Sequence, residues 1–495
     1  MKRIKLLKVK YLLLTFLLTG LFSCNESLEL LPPSGLIRDE YWKTKEDVEA
    51  VLMAAYESFA SMDRELFLHG ELRGDLLEGG RLQSSQEQNI MENNIYPDNS
   101  FTNWDNFYQV VNYCNEVIKN APLVQEIDNT FNDFRKQTLM AEAYWLRSLA
   151  YFYLVRIYNE VPLILEPSES DDVDFYVEKS SQEEVLTQMV ADLTANREFA
   201  PSGSFPTIAE NKGRASKAAY DALLADIALW RFRYDEVLQH VAEIERREVF
   251  QLLPSNRWFE IFYPGNSLEG IFEFQFSNDL NQYNSTSWLT SQNSLQYYPS
   301  QKAIEMFGSE YSAELIRGQG ATIAEISDDN FIIWKYNGQV PDPVGQARRP
   351  GSESSSANWI IYRKAEILLM KAEALSQLER YQEAQNVLNV IRERANVSLL
   401  SLPNSRNAFE DAILEERALE LAYEGNRWFD ILRMGRRNNF ARKARVIEII
   451  VSNVPSTQKR ILATKLTNPS GWYLPIYDEE LERNRNLVQN PYYDF

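Results

Sequence analysis

ILEERALELAYEGNRWFDILRMGR, residues Ile413–Arg436, is the stretch on which the reading of this chain turns. Leu414, Ala418, Leu421, Gly425, Trp428 and Leu432 recur at three- and four-residue steps. That spacing lays them along one side of a helix and predicts about seven continuous turns facing a core. Glu416, Glu420 and Glu424 share another side. Like charges four residues apart oppose each other by roughly 0.2–0.5 kcal/mol per pair, so the row requires cations, for which Arg417, Arg427 and Arg433 are candidates. In the cluster Arg427-Trp428-Phe429-Asp430, an arginine stacked on an indole and tied to an acid would lock a helix end against its neighbour.

The same periodicity returns elsewhere. Leu139, Ala143, Leu146, Ala150, Tyr153 and Ile157 form one such face, and Ile361, Ala365, Leu368, Ala372 and Leu375 another. A weak internal repeat appears when Tyr234 is set against Tyr381. YDEVLQHVAEI and YQEAQNVLNVI then agree at Glu236/Glu383, Val241/Leu388 and Ile244/Ile391, and each tyrosine follows an alanine-rich helix after a short turn. Alanines let two helices approach closely while the tyrosine and later aliphatics fill the groove, as in tetratricopeptide-type hairpins. The two units are far apart in sequence, which predicts helix pairs carrying a large insertion rather than a tandem array.

That insertion, Gln251–Asn358, is rich in Asn, Ser, Gly and aromatics, with strand-like fragments such as GIFEFQF at Gly270–Phe276. PDPVGQARRPGSESSS, Pro341–Ser356, has the composition of a surface loop. A second irregular region covers Glu71–Ser100, where Gly70, Gly74, Gly79 and Gly80 interrupt periodicity. Long ordered loops on a helical scaffold are where binding usually resides. For capturing a sugar the useful groups are loop aromatics, whose flat faces cover the C–H face of the ring while polar neighbours bind hydroxyls. The insertion offers Tyr283, Trp288, Tyr297, Tyr298, Trp334 and Tyr336, and the first irregular region offers Arg73, Asp75 and Tyr96.

Composition excludes much else. With 51 basic and 71 acidic residues the net charge is −20, which argues against a nucleic-acid or anionic-lipid partner. Only His69 and His240 are present, so a three-histidine metal centre is impossible, and no HExxH, CxxC, GxSxG or phosphate-loop pattern occurs. His69 lies close to the first loop region and reads as a surface or capping residue. No cofactor is expected, and no loop has the ligand spacing of a calcium site. Carboxylate chemistry remains open in principle, since glycoside hydrolysis needs only two suitably separated acids. The Glu416-Glu420-Glu424 row reads instead as an arginine-compensated scaffold. Lys2, Arg3, Lys5, Lys8 and Lys10 followed by the apolar run Tyr11–Phe22 form a secretory signal too short to span a bilayer comfortably. Its end, Leu21-Phe22-Ser23-Cys24, is similar to a bacterial lipobox and marks Cys24 for lipidation, although Phe22 is bulkier than the usual residue there. Lipidation leaves Cys114 without an intramolecular partner, and it reads as a buried structural thiol.

Five segments together carry a family resemblance: MAEAYWLRSLAYFYLVRIYNEVPLIL (Met140–Leu165), GRASKAAYDALLADIALW (Gly213–Trp230), Trp359–Ala395 with YRKAEILLMKAEAL and LNVIRERA, Ile413–Arg436, and a tail with YLPIYDEEL and Gln489-Asn490-Pro491. In order and content they resemble the SusD/RagB family of outer-membrane nutrient-binding lipoproteins. The resemblance implies a mostly α SusD-like scaffold of tetratricopeptide-type helix pairs with long loop-rich insertions and a few short strands. It divides the chain into a signal peptide (1–23), an N-terminal helical part (24–250), a loop-rich ligand-binding insertion (251–358) and a C-terminal helical part (359–495). It also implies a noncatalytic protein, lipid-anchored in the outer membrane and facing the exterior, that passes an oligosaccharide to a SusC-like TonB-dependent transporter. Acids at Glu26 and Glu29 resemble the surface-export signals of Bacteroidota lipoproteins. The alternatives are a RagB-like peptide-binding protein and, from another class, a surface glycoside hydrolase.

Overall fold

The computed structural model describes residues 41–168, 176–203, 205–290, 296–308, 314–327, 330–336, 356–452, 454 and 456–494. The signal peptide, Cys24, the acids that follow it and most of the 341–356 loop lie outside the described residues. Helices dominate. Among them are α1 (Lys45–Ala60), α2 (Asp63–Glu71), α3 (Asp105–Ile127), α4 (Asp133–Tyr158), α5 (Gln182–Asn196), α6 (Lys217–Trp230), α7 (Tyr234–Glu245), α8 (Lys364–Gln377), α9 (Tyr381–Arg394), α10 (Arg406–Glu420) and α11 (Arg427–Phe440), the last broken by non-helical backbone at Arg437, Asn438 and Asn439. Short strands β1 (Leu77–Gly79), β2 (Val161–Pro162), β3 (Lys179–Ser180), β4 (Gly270–Phe274), β5 (Tyr297–Pro299), β6 (Ile323–Ser327), β7 (Asn330–Ile333) and β8 (Trp359–Arg363) form four two-stranded antiparallel ribbons: β1–β5, β2–β3, β4–β8 and β6–β7.

The centre of the N-terminal half is α4, which packs between α3 and α5 and against α1. From Leu139 to Tyr158 it is buried on nearly every side, so polar groups there must be paired. Glu142 is: it accepts from Arg214 Nε at 2.5 Å and from the Tyr56 hydroxyl at 2.7 Å, tying α4 to α1 and to the start of α6. Cys114 on α3 is a buried free thiol, and burial pushes its pKa up to about 12.

The internal repeat is a real structural repeat. In each pair the turn between helices is set by a non-glycine residue in the left-handed region, Phe232 (φ 61°) and Glu379 (φ 61°). Each lies two residues before the aligned tyrosine. The amide of Arg233 donates to Ala228 at 2.8 Å and that of Arg380 to Leu375 at 2.9 Å, which gives the two turns the same bonding. Val241, Ile244, Leu388 and Ile391 are buried as their alignment requires. The arrangement departs from the expectation in one respect. Although separated in sequence, the two pairs are neighbours in space, because α7 packs directly on α8 and Lys371 bonds Glu245 at 2.7 Å. The helix pairs stack as consecutive units, and the intervening residues are looped out. A second apolar core gathers α8, α9 and α10 through Leu369, Leu388, Ile391, Phe409 and Ile413.

The Ile413–Arg436 stretch is two helices, not one. α10 ends at Glu420, and α11 starts at Arg427. Between them Tyr423 (φ 64°) and Gly425 (φ 77°) take left-handed conformations that a continuous helix forbids. The turn is held by α2. A Cβ built on Gly70 would sit 1.8 Å from the Gly425 carbonyl oxygen, so the two backbones touch, and Glu71 accepts the Gly425 amide at 2.9 Å. Gly425 is therefore a point of chain crossing rather than a member of an apolar stripe.

The carboxylate row is neutralised, as expected, but by different cations. Arg317 reaches Glu416 (2.7 Å), Glu420 (3.0 Å) and Glu314 (2.7 Å), while Arg363 reaches Glu420 (2.7 Å), Glu424 (2.8 Å) and Glu269 (2.7 Å). Arg394 joins Glu269 at 3.1 Å and also pairs with Glu420; Arg392 takes Glu416 at 2.7 Å and Lys335 takes Glu424 at 2.8 Å. Five carboxylates thus meet five cations in a mostly solvent-free cluster. Burial alone would raise the pKa of Glu420, but Arg394, Arg363 and Arg317 outweigh it and hold the group well below the ordinary range. The three arginines named from the sequence serve elsewhere: Arg417 pairs with Asp430 at 2.7 Å, Arg433 with Glu373 at 2.8 Å and Arg427 with Asp75 at 2.6 Å.

Two outcomes are expected from the α2 crossing. Gly70→Ala puts a methyl group into the Gly425 backbone and lowers unfolding free energy in denaturant titration by about 3 kcal/mol or more. Burial raises the Glu71 carboxyl to about 8, against the lowering effect of the Gly425 amide and Arg427. A raised carboxyl pKa in the fold gives stability that is full below the unfolded value and is lost as pH climbs through the folded one. Stability measured from pH 5 to 8 therefore falls in the native chain, and Glu71→Gln flattens that slope.

Candidate ligand-binding face

The first irregular region and the insertion are brought together by the β1–β5 ribbon. Leu77 faces Pro299, Glu78 faces Tyr298 and Gly79 faces Tyr297. The amide of Gly80 donates to Gln296 at 2.6 Å and that of Ser300 to Leu76 at 2.9 Å, extending the pairing at both ends. Alternation along the ribbon sends Leu77 and Tyr297 into the core and leaves Glu78 and Tyr298 outside. Tyr298 is half-buried; burial raises its phenol pKa while the exposed Arg81 nearby lowers it.

Two further aromatics are displayed by the insertion. Trp288, 51% exposed, stands on the short helix Ser285–Leu289. The start of that helix is held by two acceptors: Asn284 Oδ1 takes the amide of Thr286 at 2.8 Å, and Asp63 Oδ2 on α2 takes that of Ser285 at 2.5 Å. Burial raises the Asp63 carboxyl to about 6 in spite of these bonds. Tyr283, 49% exposed, donates to Asn281 Oδ1 at 3.1 Å and lines a cavity of about 400 Å³ with Met53, Tyr56, Ala60, Phe274 and Gln275. The face offers ring faces, side-chain amides and open space.

The remaining sequence candidates lie elsewhere. Tyr96 is exposed, in a turn tied to the C-terminal segment by the Asp478 amide, which donates to the Pro97 carbonyl at 3.0 Å. Five others are buried. The Arg73 guanidinium lies 4.3 Å from the Trp428 ring centre and donates to Asn93 and to the carbonyls of Gly471 and Trp472. Asp75 is clamped by Arg427 at 2.6 Å and by Lys302. Tyr297 packs edge-on against Phe67, Tyr336 stacks on Trp359, and Trp334 is 2% exposed. Arg73, Asp75 and Tyr297 are consumed in joining loop to helix, and Trp334 and Tyr336 in filling the core of the insertion, which removes ring face or charge from solvent in all five. His69 is half-buried against Phe107, and burial with the Arg73 charge lowers its pKa to about 4. The acids that hold the face in place, Asp63 and Asp75, differ in legibility. Asp63 carries no sequence signal, whereas the run Asn284-Ser285-Thr286-Ser287 is a helix-start signature that marks where Trp288 is mounted.

Comparison with known proteins agrees with this architecture. The SusD family model matches residues 309–493, and a second model, described as starch-binding and associating with the outer membrane, matches residues 28–229. A SusD-like protein of Formosa agariphila is 25% identical, over 99% of this chain and 100% of that one. Among solved structures, a SusD superfamily protein from Bacteroides fragilis superposes with a TM-score of 0.74 at 20% identity, covering 91% of this chain and 99% of that one. A laminarin-binding SusD-like protein gives a TM-score of 0.71 at 20% identity, with 91% and 99% covered. The fold is the SusD-like one, mostly helical with few short strands. The chain belongs to the SusD/RagB family, whose members are noncatalytic, glycan-binding and associated with outer-membrane uptake. The Glu416-Glu420-Glu424 row is buried and ion-paired, the scaffold role read from the sequence.

Asp63 is expected to be a positioning residue for Trp288. In Asp63→Ala, hydrogen exchange at the Ser285 and Thr286 amides accelerates by about tenfold or more, the effect of losing one charge-assisted bond, while exchange in α4 is unchanged.

Proposed function

We propose that this SusD-family chain is a lipid-anchored, surface-exposed binding protein that captures an oligosaccharide and passes it to a SusC-like TonB-dependent transporter. The observation that carries the ligand class is the pair of half-exposed rings, Tyr283 and Trp288, standing with Tyr298 on loops that are pinned to the helical scaffold by Asp63, Lys302 and the β1–β5 ribbon. Preset ring faces bind sugar without first having to order a loop. The laminarin-binding activity of one structural neighbour and the starch-binding description of the N-terminal family model support the same class. The lipidation signal ending at Cys24 supports the anchor. No chemical step is needed; capture and release suffice.

Calorimetric titration with neutral oligosaccharides and with peptides of similar size separates the glycan reading from the RagB-like peptide reading. Glycans are expected to bind, with Trp288→Ala and Tyr298→Ala each weakening affinity by about tenfold, the loss of one stacked ring. Binding of peptides alone, or glycan affinity unchanged in both variants, overturns the assignment.

A further inference from the structure

A second cavity adjoins the one beneath Tyr283. It has a volume of about 710 Å³ and opens between the short helix Ile208–Gly213, the end of α7 and the loop around Asn266. Gln275 forms the partition. Its side chain covers the Gly213 backbone and accepts from Asn266 Nδ2 at 2.9 Å.

The walls of this cavity hold more positive than negative charge in a chain whose net charge is −20. Arg257 is matched by Glu260 at 2.7 Å, whereas Lys212 donates to the Gly270 carbonyl and has the buried Glu273 carboxylate nearby without a direct bond to it. Arg247 reaches Asp221 at 3.2 Å, a carboxylate already engaged by Arg197 at 2.7 Å. Two polar atoms of the lining are buried without a partner among the described residues: Arg247 Nε, a donor, and Asn266 Oδ1, an acceptor. Such groups are costly unless something satisfies them. Val249 and Leu268, both more than half exposed, supply apolar surface at the same site. A cation excess, an orphan donor, an orphan acceptor and apolar patches together match a sugar residue that also bears an anionic group.

We propose that this cavity is a second carbohydrate subsite, selective for a residue carrying a carboxylate or a sulfate ester, whose anion is drawn to Lys212 and Arg247 while a hydroxyl meets Asn266. The proposal rests on the glycan-binding reading and specifies its substrate class. The test is calorimetric titration of the full chain with methyl glucuronide, methyl glucoside 6-sulfate and neutral methyl glucoside, beside the neutral oligosaccharides used for the Trp288 face. At least one charged probe is expected to bind about tenfold or more tightly than the neutral one, with the preference shrinking as salt rises. Lys212→Gln abolishes the preference, Lys212→Arg keeps it, and neither changes the affinity of neutral oligosaccharides for the Trp288 face. Equal binding of charged and neutral probes by the native chain, or a preference that survives Lys212→Gln, overturns the subsite. Charged probes that bind through Lys212 while no neutral oligosaccharide binds overturn the Trp288 face and leave the subsite standing.

Discussion

Five carboxylates and five cations, packed almost entirely out of contact with solvent around Glu420, are the constraint on which the rest of this protein depends. A buried charge without its partner costs several kcal/mol, so each member of the cluster fixes the position of the segment that bears it. Glu269 comes from just before β4, Arg363 from the end of β8, Arg392 and Arg394 from α9, Glu416 and Glu420 from α10, and Arg317 and Lys335 from the insertion. A hydrophobic contact tolerates sliding, whereas a guanidinium shared among three carboxylates does not. The insertion is thereby held to the helical body by directional bonds as well as by its aromatic core.

Those bonds explain how loops can carry the proposed binding face. The β1–β5 ribbon and the Asp63 contact to the Ser285–Leu289 helix fix Tyr298 and Trp288 relative to α2. α2 in turn is fixed by the contact of Gly70 with Gly425, immediately after the last glutamate of the cluster. Scaffold and face are one mechanical path.

Much of this was legible in the sequence, and the misses have definite causes. Helical periodicity located α4, α8 and the two helices of the Ile413–Arg436 stretch, because each buries apolar residues that repeat at the helical period. The stop at Glu420 was missed because the apolar spacing continues across it. Gly425 fits the stripe as a small residue while serving as a left-handed crossing point. The partners of the glutamate row were misassigned because nearest-in-sequence cations were favoured, whereas Arg317 and Arg363 arrive from about 50 to 100 positions away. Two of the aromatic candidates divided by strand parity: Tyr297 and Tyr298 are consecutive, and only register decides which faces solvent. Sequence composition has no access to register.

The direct stacking of α7 on α8 has a consequence for how such a protein changes over time. The residues between them leave the helical stack and return to adjacent points, so the stack itself would close without them. Exchange of that segment for another of different length is thus geometrically easy, and it would replace the proposed binding face without altering the body. The exchange is not free of conditions, since the departing segment takes Glu269, Glu314, Arg317, Lys335 and Arg363 with it. Any replacement has to arrive with cations placed to meet Glu416, Glu420 and Glu424, which makes the charge cluster a compatibility lock on modular recombination.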